Sequence, residues 1–282
     1  MTSHDVVARL RRLFHQRRTG HAGTLDPSAT GVLVVGFGRA TRLLRFLQAT
    51  TKVYEGELVL GETTTTLDAD GEVTERFDMS SVTPEEVERA AVALRGDILQ
   101  VPPMVSAIKV GGRRLHELAR AGEEIERQPR AVRIDRFELS PTDDPCCYRF
   151  EVRCSSGTYV RSLADDLGRL LGGGAHLSRL RRSEVGSFRI DEAQRLDELT
   201  AALEQGEAPG SLLMSPAAAM RDMTALAVDE EIARLVSTGR GLDHEVGQIA
   251  GPYALVDQAG ELLAVYRDAE PGRIVPVVVL AG

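Results

Sequence analysis

The sequence contains no run that approaches 18 uninterrupted apolar residues, so no membrane-spanning helix is expected. Its first stretch, MTSHDVVARLRRLF, carries charges where a secretory signal needs apolar residues. The three cysteines, Cys146, Cys147 and Cys154, are too few and too close together for a disulfide framework or a zinc site. We therefore expect a cytoplasmic protein with reduced thiols.

Signatures of metal and cofactor chemistry are also missing. The six histidines are scattered, with no pair at metal-ligand spacing. There is no P-loop and no Gly-x-Ser-x-Gly, and Gly36-Phe37-Gly38 lacks the third glycine of a dinucleotide fingerprint. Asp68-Ala69-Asp70-Gly71 resembles a phosphate-transfer motif, but threonines precede it where that motif needs a buried apolar strand. We expect chemistry that uses neither a metal nor a cofactor.

The residues that are present indicate an α+β protein. Apolar residues make up 43% of the 282 positions and charged residues 27%, as in globular chains that bury a core. Periodicity predicts helices at 4–17, 39–48, 83–94, 115–121, 159–171 and 229–237. It predicts strands at 32–36, 54–60, 130–139 and 147–154, with a hairpin that turns at Gly111-Gly112. Beyond a linker at Pro209-Gly210, short strands are expected near 246–249, 253–257, 261–267 and 274–280.

Charge is distributed unevenly along the chain. The net charge is −8, yet residues 1–52 carry +7, residues 105–136 carry +3 and residues 147–189 carry +4. Of the 34 cationic residues all but Lys52 and Lys109 are arginine, whose planar guanidinium suits contacts with phosphates and bases. These segments could form one basic groove for nucleic acid if the fold brings them together. Solvated helix faces would give the same count.

The segment His21–Leu33, HAGTLDPSATGVL, has the strongest chemical character. Asp26 precedes Pro27, which restricts the aspartate to an extended or turn conformation. A carboxylate on a loop that a strand anchors is a common place for a nucleophile or a general base. An Asp-Pro pair also commonly caps a turn with its own side chain, so spacing alone leaves both interpretations open.

A second segment, SSGTYVRSLADDLG, places Arg161 at a predicted helix start behind a Ser/Gly loop. Such a position suits the binding of an anion or a carboxylate. Taken alone, the pattern favours a surface arginine that pairs with Asp165 four residues later.

Five motifs together resemble one family. HAGTLDPSATGVL, Lys52-Val53-Tyr54, VPPMVSAIKVGGRRLHELAR, SSGTYVRSLADDLG and GGGAHLSRLRR match, in order, motifs of the bacterial tRNA pseudouridine-55 synthases, the TruB branch of the pseudouridine synthases. The resemblance covers about residues 2–190 and implies a mixed, mostly antiparallel central sheet flanked by helices. It implies a catalytic domain at 1–210 and a small β-rich, PUA-like RNA-binding domain at 226–282.

The resemblance also implies an activity and its residues. The enzyme would detach uracil from C1′ of its ribose and reattach it through C5, at uridine 55 in the T-loop of tRNA, after swinging the base out of the RNA. Asp26 would attack C1′ or C6, and Arg161 would keep it ionised. Tyr54 would stack on the base or take the C5 proton. Tyr159 and Leu180 would complete the pocket, and His21 would lie beside the gap that the base leaves.

The expected partner is the T-arm of tRNA, bound by a monomer without metal or membrane. Two other classes stay open: a non-catalytic RNA-binding protein, and a Mg²⁺-dependent phosphohydrolase that uses Asp68 and Asp70. In the family, an apolar strand ending in Asp-Lys-Pro-x-Gly precedes the Met-Thr-Ser-His found here at residues 1–4. We expect the natural start codon to lie upstream, because loss of a buried strand would expose apolar surface.

Overall fold

A computed structural model describes residues 1–106, 109–110, 113–114, 125–243 and 251–280. The predicted helix at 115–121, the turn at Gly111-Gly112 and the strand near 246–249 lie outside these residues. None of the described helices is long and apolar enough to cross a membrane.

The described chain forms seven α-helices and eighteen strands. The helices are α1 Ser3–Leu13, α2 Leu44–Gln48, α3 Pro84–Ala93, α4 Val160–Leu170, α5 Leu196–Glu204, α6 Pro216–Ala219 and α7 Glu230–Ser237. The first nine strands are β1 Thr19–His21, β2 Thr30–Gly31, β3 Val35–Phe37, β4 Lys52–Leu60, β5 Glu62–Thr64, β6 Val73–Arg76, β7 Gly96–Gln100, β8 Lys109–Val110 and β9 Arg113–Arg114. The others are β10 Arg130–Pro141, β11 Cys147–Cys154, β12 Ala175–Val185, β13 Phe188–Arg189, β14 Thr224–Ala227, β15 Leu242–Asp243, β16 Tyr253–Val256, β17 Leu262–Glu270 and β18 Arg273–Val279.

Most predicted elements are present, and the differences have local causes. The first helix ends at Leu13 rather than at 17, since His15 takes a left-handed backbone with φ 48°. The strand predicted at 32–36 begins later, as β3 Val35–Phe37, which pairs with β1, whereas the preceding β2 pairs with β12. The helix predicted at 39–48 is a 3₁₀ turn at Gly38–Arg42 followed by α2. Strands β8 and β9 pair antiparallel, as the predicted hairpin requires.

One compact unit contains residues 25–32 and 48–191. Its seven-stranded sheet has the order β13-β12-β4-β11-β10-β7, with β2 added beside β12. The β2–β12 pair is parallel and the other pairs in this sheet are antiparallel. Thr83 and Glu86 form a capping box at the start of α3. Helices α3 and α4 pack on the sheet and contribute Val87, Leu163 and Leu167 to the apolar core.

The second compact unit contains residues 2–24, 33–47 and 192–282. Its five-stranded sheet has the order β14-β16-β17-β18-β15, in which only β14 and β16 run parallel. Asp229 caps helix α7, since its carboxylate accepts a hydrogen bond from the amide of Ile232, and Val236 on this helix is fully buried. The core around it includes Tyr253, Tyr266 and Ile274.

Candidate active site

A cleft of about 660 Å³ opens on the seven-stranded sheet. Its walls come from the loop that follows Leu25, from the loop at 68–70 and from strands β4, β11 and β12. The lining residues include Asp26, Asp68, Asp70, Arg161 and Leu180. The volume lies within the range of small-molecule pockets in proteins.

Asp26 is positioned by a loop that is tied to strand β12. The carbonyl of Asp26 accepts a hydrogen bond from the amide of Ala29 at 3.0 Å, which closes a turn. The loop then enters β2, where Gly31 lies opposite Arg182 with φ +106°. A Cβ on Gly31 would stand 2.1 Å from the carbonyl oxygen of Arg182, so only glycine allows this approach. The side chain of Asp26 is 34% exposed.

Arg161 binds both oxygens of the Asp26 carboxylate. It is the second residue of α4, and its side chain is 5% exposed. Its Nε lies 2.9 Å from Oδ2 of Asp26, and its Nη2 donates to Oδ1 at 2.9 Å. The planar guanidinium thus holds the carboxylate in a bidentate pair, which fixes its orientation as well as its position. The pairing of these two residues, 135 positions apart, was expected from the sequence and is present.

The same guanidinium also binds a second carboxylate, that of Asp68. The Nη1 of Arg161 lies 3.5 Å from Oδ2 of Asp68 and donates to the carbonyl of Thr66 at 2.9 Å. The Oγ1 of Thr66 donates to Oδ1 of Asp68 at 2.5 Å. The amide of Ala69 donates to the carbonyl of Leu177 on β12 at 2.8 Å. The polar loop at 64–71 is therefore a folded part of the site.

This role of Asp68 was not predicted from the sequence. The motif Asp68-Ala69-Asp70-Gly71 fails as a phosphate-transfer signature, and nothing in its spacing points towards Arg161. Its one local signal is the run of threonines, because Thr64 and Thr66 hold the loop by donating hydrogen bonds to the main chain or the carboxylate of Asp68.

Burial raises the pKa of Asp26 above the ordinary range of an aspartate. The charge and the hydrogen bond of Arg161 act in the opposite direction, and the negative charges of Asp68 and Asp70 raise the pKa further. Sequence reasoning expected Arg161 to keep Asp26 ionised. In the structure Arg161 limits a rise in the pKa that burial and the two neighbouring aspartates produce.

Tyr54 lies on β4 in the apolar core, 9% exposed. Burial raises the pKa of its phenol, while the charge and the hydrogen bond of the Arg182 guanidinium oppose the rise. The charge of Asp26 also raises the pKa of Tyr54, which reflects how close the two groups lie. Leu180, opposite Gly56 on the neighbouring strand, lines the cleft and packs against the same core.

Tyr159 caps the start of α4 and is held through its main chain. Its amide donates to Oε1 of Gln100 at 2.7 Å, and its carbonyl accepts from Nε2 of Gln100 at 3.0 Å. Gln100 is 1% exposed, and it was not singled out from the sequence. Burial raises the pKa of the Tyr159 phenol, and its hydrogen bond with Ser106 lowers it.

His21, the remaining residue singled out from the sequence, lies on β1 in the second compact unit. Its ring meets the ring of His4 edge-on, with the centroids 5.7 Å apart.

Two buried cations behind Tyr54 were also missed. Arg182 is 1% exposed, and its Nε donates to the carbonyl of Val32 at 2.8 Å, so it ties the end of the Asp26 loop to β12. Lys52 donates to the carbonyls of Gln48 and Thr50 at 2.9 and 2.8 Å. Burial, together with the charge of Arg182, lowers the pKa of Lys52 to about 8. Within the part of the chain that the structure describes, no group of three or more His, Cys, Asp or Glu side chains could hold a metal ion.

Comparison with known proteins gives the family. Residues 11–160 match the N-terminal domain of the TruB family pseudouridylate synthases, and residues 161–221 match the C-terminal domain of tRNA pseudouridylate synthase B. The tRNA pseudouridine synthase B of Rhodococcus jostii is 49% identical over 272 residues, which are 95% of this chain and 87% of that protein. The protein of the same name from Mycobacterium tuberculosis is 48% identical over 285 residues, with coverages of 99% and 92%.

Solved structures share the fold at lower identity. The crystal structure of a Cbf5-Nop10-Gar1 complex matches with a TM-score of 0.76 at 24% identity, covering 99% of this chain and 80% of that chain. An H/ACA RNP bound to a substrate RNA containing 2′-deoxyuridine matches with a TM-score of 0.76 at 22% identity, with coverages of 100% and 82%. These matches and the mixed, mostly antiparallel sheet confirm the α+β fold class that was expected. The chain belongs to the TruB family of pseudouridylate synthases.

Proposed function

We propose that this protein isomerises uridine 55 in the T-loop of tRNA to pseudouridine, with Asp26 as the nucleophile. The isomerisation of a tRNA uridine follows from the family and from relatives at 48–49% identity that are named tRNA pseudouridine synthase B. The observation that carries the assignment of Asp26 is its bidentate pair with the buried Arg161 at the wall of the cleft. We also propose that the enzyme acts as a monomer in the cytoplasm and that it grips the T-arm.

The reaction exchanges one bond of the uracil for another. The N1–C1′ bond breaks, the ring turns, a C5–C1′ bond forms, the proton on C5 leaves and N1 takes up a proton, so the composition of the nucleoside is unchanged. The ionised carboxylate of Asp26 adds to C1′ of the ribose or to C6 of the ring, and both routes need it deprotonated. Arg161 holds both carboxylate oxygens, so Asp26 is already oriented and loses less conformational freedom when it attacks.

The other residues of the site prepare and receive the base. The target uridine leaves its stack at a cost of a few kcal/mol, which contacts in the pocket offset. We propose that Tyr54 stacks on the displaced base or takes the C5 proton, and that Tyr159 and Leu180 complete the pocket. His21 would lie beside the gap that the base leaves in the RNA. In this proposal residues 1–210 carry the chemistry, and the PUA-like residues 226–282 bind RNA.

The test is tritium release from tRNA labelled at C5 of uridine. Asp26→Asn removes the negative charge at nearly constant volume, so it should abolish release while the affinity for tRNA stays within a few-fold. A transcript with cytidine at position 55 serves as the substrate control and should give no release with the wild type. Substantial turnover by Asp26→Asn would contradict the assignment of the nucleophile.

The same assay separates the alternatives. A non-catalytic RNA-binding protein would release no tritium even as the wild type. A phosphohydrolase that used Asp68 and Asp70 would also release no tritium from C5, and it would instead release phosphate in a reaction that needs Mg²⁺ and stops with EDTA. We expect release by the wild type with and without EDTA.

A further inference from the structure

The arginines of the first 47 residues differ in their ion pairing from most of the described arginines in the rest of the chain. They are Arg9, Arg11, Arg12, Arg17, Arg18, Arg39, Arg42 and Arg45. Among the residues that the structure describes, none of the eight has a carboxylate oxygen within 4.0 Å. Elsewhere arginines are commonly paired: Arg133 meets Asp97 and Asp135, and Arg136 meets Glu138 and Glu151. The eight N-terminal arginines and the other arginines thus differ in ion pairing and not in exposure, because exposed arginines occur in both groups.

Local composition explains the lack of pairs. Segments 2–24 and 33–47 contain these eight arginines and a single acidic residue, Asp5. The carboxylate of Asp5 accepts a hydrogen bond from the amide of Thr2 at 2.8 Å, as part of the cap of α1. The chain as a whole has 42 acidic residues, yet these two segments carry a net charge of +7. Exposed like charges repel one another, so such a net charge is unfavourable unless an anion binds.

The fold brings together the segments that carry six of these arginines. Arg11 and Arg12 lie in the last turn of α1, Arg17 and Arg18 follow it, and Arg39 and Arg42 lie on the 3₁₀ turn at Gly38–Arg42. All six are exposed. The rings of Phe14 and Phe37 are 4.7 Å apart, and the amide of Gly38 donates to the carbonyl of Arg18 at 2.7 Å. These contacts hold the end of α1, the loop after it and the 3₁₀ turn together. We call the six residues the arginine cluster.

The end of strand β18 and the residue that follows it hold two members of the cluster. The Nη1 of Arg39 donates to the carbonyl of Leu280 at 2.9 Å, and the Nη1 of Arg42 donates to the carbonyl of Val279 at 2.7 Å. A guanidinium has five N–H donors, so each arginine keeps donors beyond this bond. A pre-positioned guanidinium loses less conformational entropy when it binds a ligand.

We propose that the arginine cluster is a binding site for the phosphodiester backbone of RNA. Arginine presents paired donors that match phosphate oxygens, and several guanidinium groups without carboxylates favour a polyanion over a single small anion. This inference rests on the proposed function, which supplies RNA as the polyanion. None of the six residues lines the cleft, so the cluster contributes affinity rather than chemistry. An anionic membrane surface is the competing partner, and the test includes it.

The test compares two variants that lose the same charge. The cluster variant carries R11Q, R12Q, R17Q and R18Q. The control variant carries R76Q, R133Q, R195Q and R234Q, which replace exposed arginines that already pair with carboxylates. Binding of tRNA is measured by fluorescence anisotropy between 50 and 300 mM salt, and the single-turnover rate constant is measured with saturating tRNA. Thermal unfolding checks that both variants fold.

The cluster variant should bind tRNA about 10- to 100-fold more weakly at 0.1 M salt. The slope of log affinity against log salt should become shallower by about 2–3, since each phosphate neutralised contributes about 0.7–0.9. Its rate constant at saturating tRNA should stay within about threefold of the wild type. The control variant should change the affinity less than about threefold and the slope by less than about 1. Replacing the same four cluster residues with lysine should retain most of the slope, which guards against misfolding as the cause.

Two results would overturn the inference. One is a cluster variant that binds tRNA no more weakly than the control variant. The other is a cluster variant with normal tRNA binding that no longer sediments with phosphatidylglycerol vesicles, which would assign the cluster to a membrane. Failure of the proposed function looks different, because the wild type would then release no tritium whatever the salt dependence shows.

Discussion

At the scale of single residues, the site depends on one guanidinium that serves two carboxylates. Arg161 uses Nε and Nη2 for Asp26, Nη1 for Asp68 and Thr66, and Nη2 again for the carbonyl of Val105 at 3.0 Å. A lysine has one nitrogen and no planar fork, so it could not reproduce these contacts. Asp26 and Asp68 therefore compete for the same positive charge, and a change in either alters the other.

This competition predicts opposite shifts in the pH dependence of the reaction. Asp26 must be ionised to attack, so the single-turnover rate falls as the pH drops through its raised pKa. Asp68→Asn removes a negative neighbour that raises this pKa, so the acid limb of the pH–rate profile should move to lower pH. Arg161→Gln removes the main opposing charge, so the acid limb should move to higher pH and the plateau rate should drop on the order of a hundredfold.

The measurement is the single-turnover rate of tritium release at saturating tRNA, followed across pH. Asp78→Asn is the matched control, because Asp78 is exposed and hydrogen-bonds only to Ser80 in the contacts described. Its profile should coincide with that of the wild type. Shifts of the same sign for Asp68→Asn and Arg161→Gln would contradict the shared-charge account.

Sequence reasoning reaches some of these residues and not others, for a physical reason. Asp26 and Arg161 stand in motifs with recognisable local character, and the family resemblance joins them. Asp68, Gln100 and Arg182 act through contacts with residues at least 59 positions away, so no local pattern reveals them. The direction of the Asp26 pKa shift was missed for the same reason, because burial is a property of the folded chain.

At the scale of elements, strand β12 organises the site and is among the strands that periodicity did not predict. It pairs with β4 on one side and receives β2 on the other. Its alternation is interrupted by register shifts between Leu177 and Arg179 and between Arg182 and Glu184. Arg182 is buried, although an arginine in a sequence normally indicates an exposed position, and this further hides the strand's alternation. A regular strand such as β11 was predicted because its alternation of buried and exposed residues is intact.

The close approach of β4 and β12 at Gly56 predicts a measurable cost of substitution. A Cβ on Gly56 would stand 2.1 Å from the carbonyl oxygen of Arg179, which is main chain and cannot turn aside. Gly56→Ala should therefore lower the free energy of unfolding by about 3 kcal/mol or more, measured by urea denaturation. Gly210→Ala is the matched control, because nothing lies within 4 Å of the added Cβ and its φ is not positive. Equal free energies of unfolding for the two variants would contradict this prediction, because they would show that β4 and β12 can move apart here at little cost.

At the scale of the whole molecule, charge is segregated rather than balanced. The sequence pI of about 5.4 describes an acidic protein, yet segments 2–24 and 33–47 are strongly basic, and residues 192–282 carry six cationic against fifteen acidic side chains. Both kinds of segment belong to one compact unit. This unit is built by contacts between distant residues, such as Arg39 and Leu280, which are 241 positions apart, and no local sequence pattern predicts them.

This segregation predicts that the C-terminal residues contribute little to the salt-dependent part of tRNA binding. The exposed arginines of the PUA-like residues are few, and they stand among acidic neighbours that weaken attraction to phosphates. Point variants are preferable to deletion of residues 226–282, because deletion would remove the carbonyls that hold Arg39 and Arg42. The triple variant R240Q, R267Q and R273Q should change the slope of log affinity against log salt by less than about 1, with affinity within about tenfold of the wild type. Anisotropy titrations over the same salt series provide the measurement. A slope that falls as far as in the cluster variant would place a phosphate site among these three arginines and would refute the division of binding between the two ends of the chain.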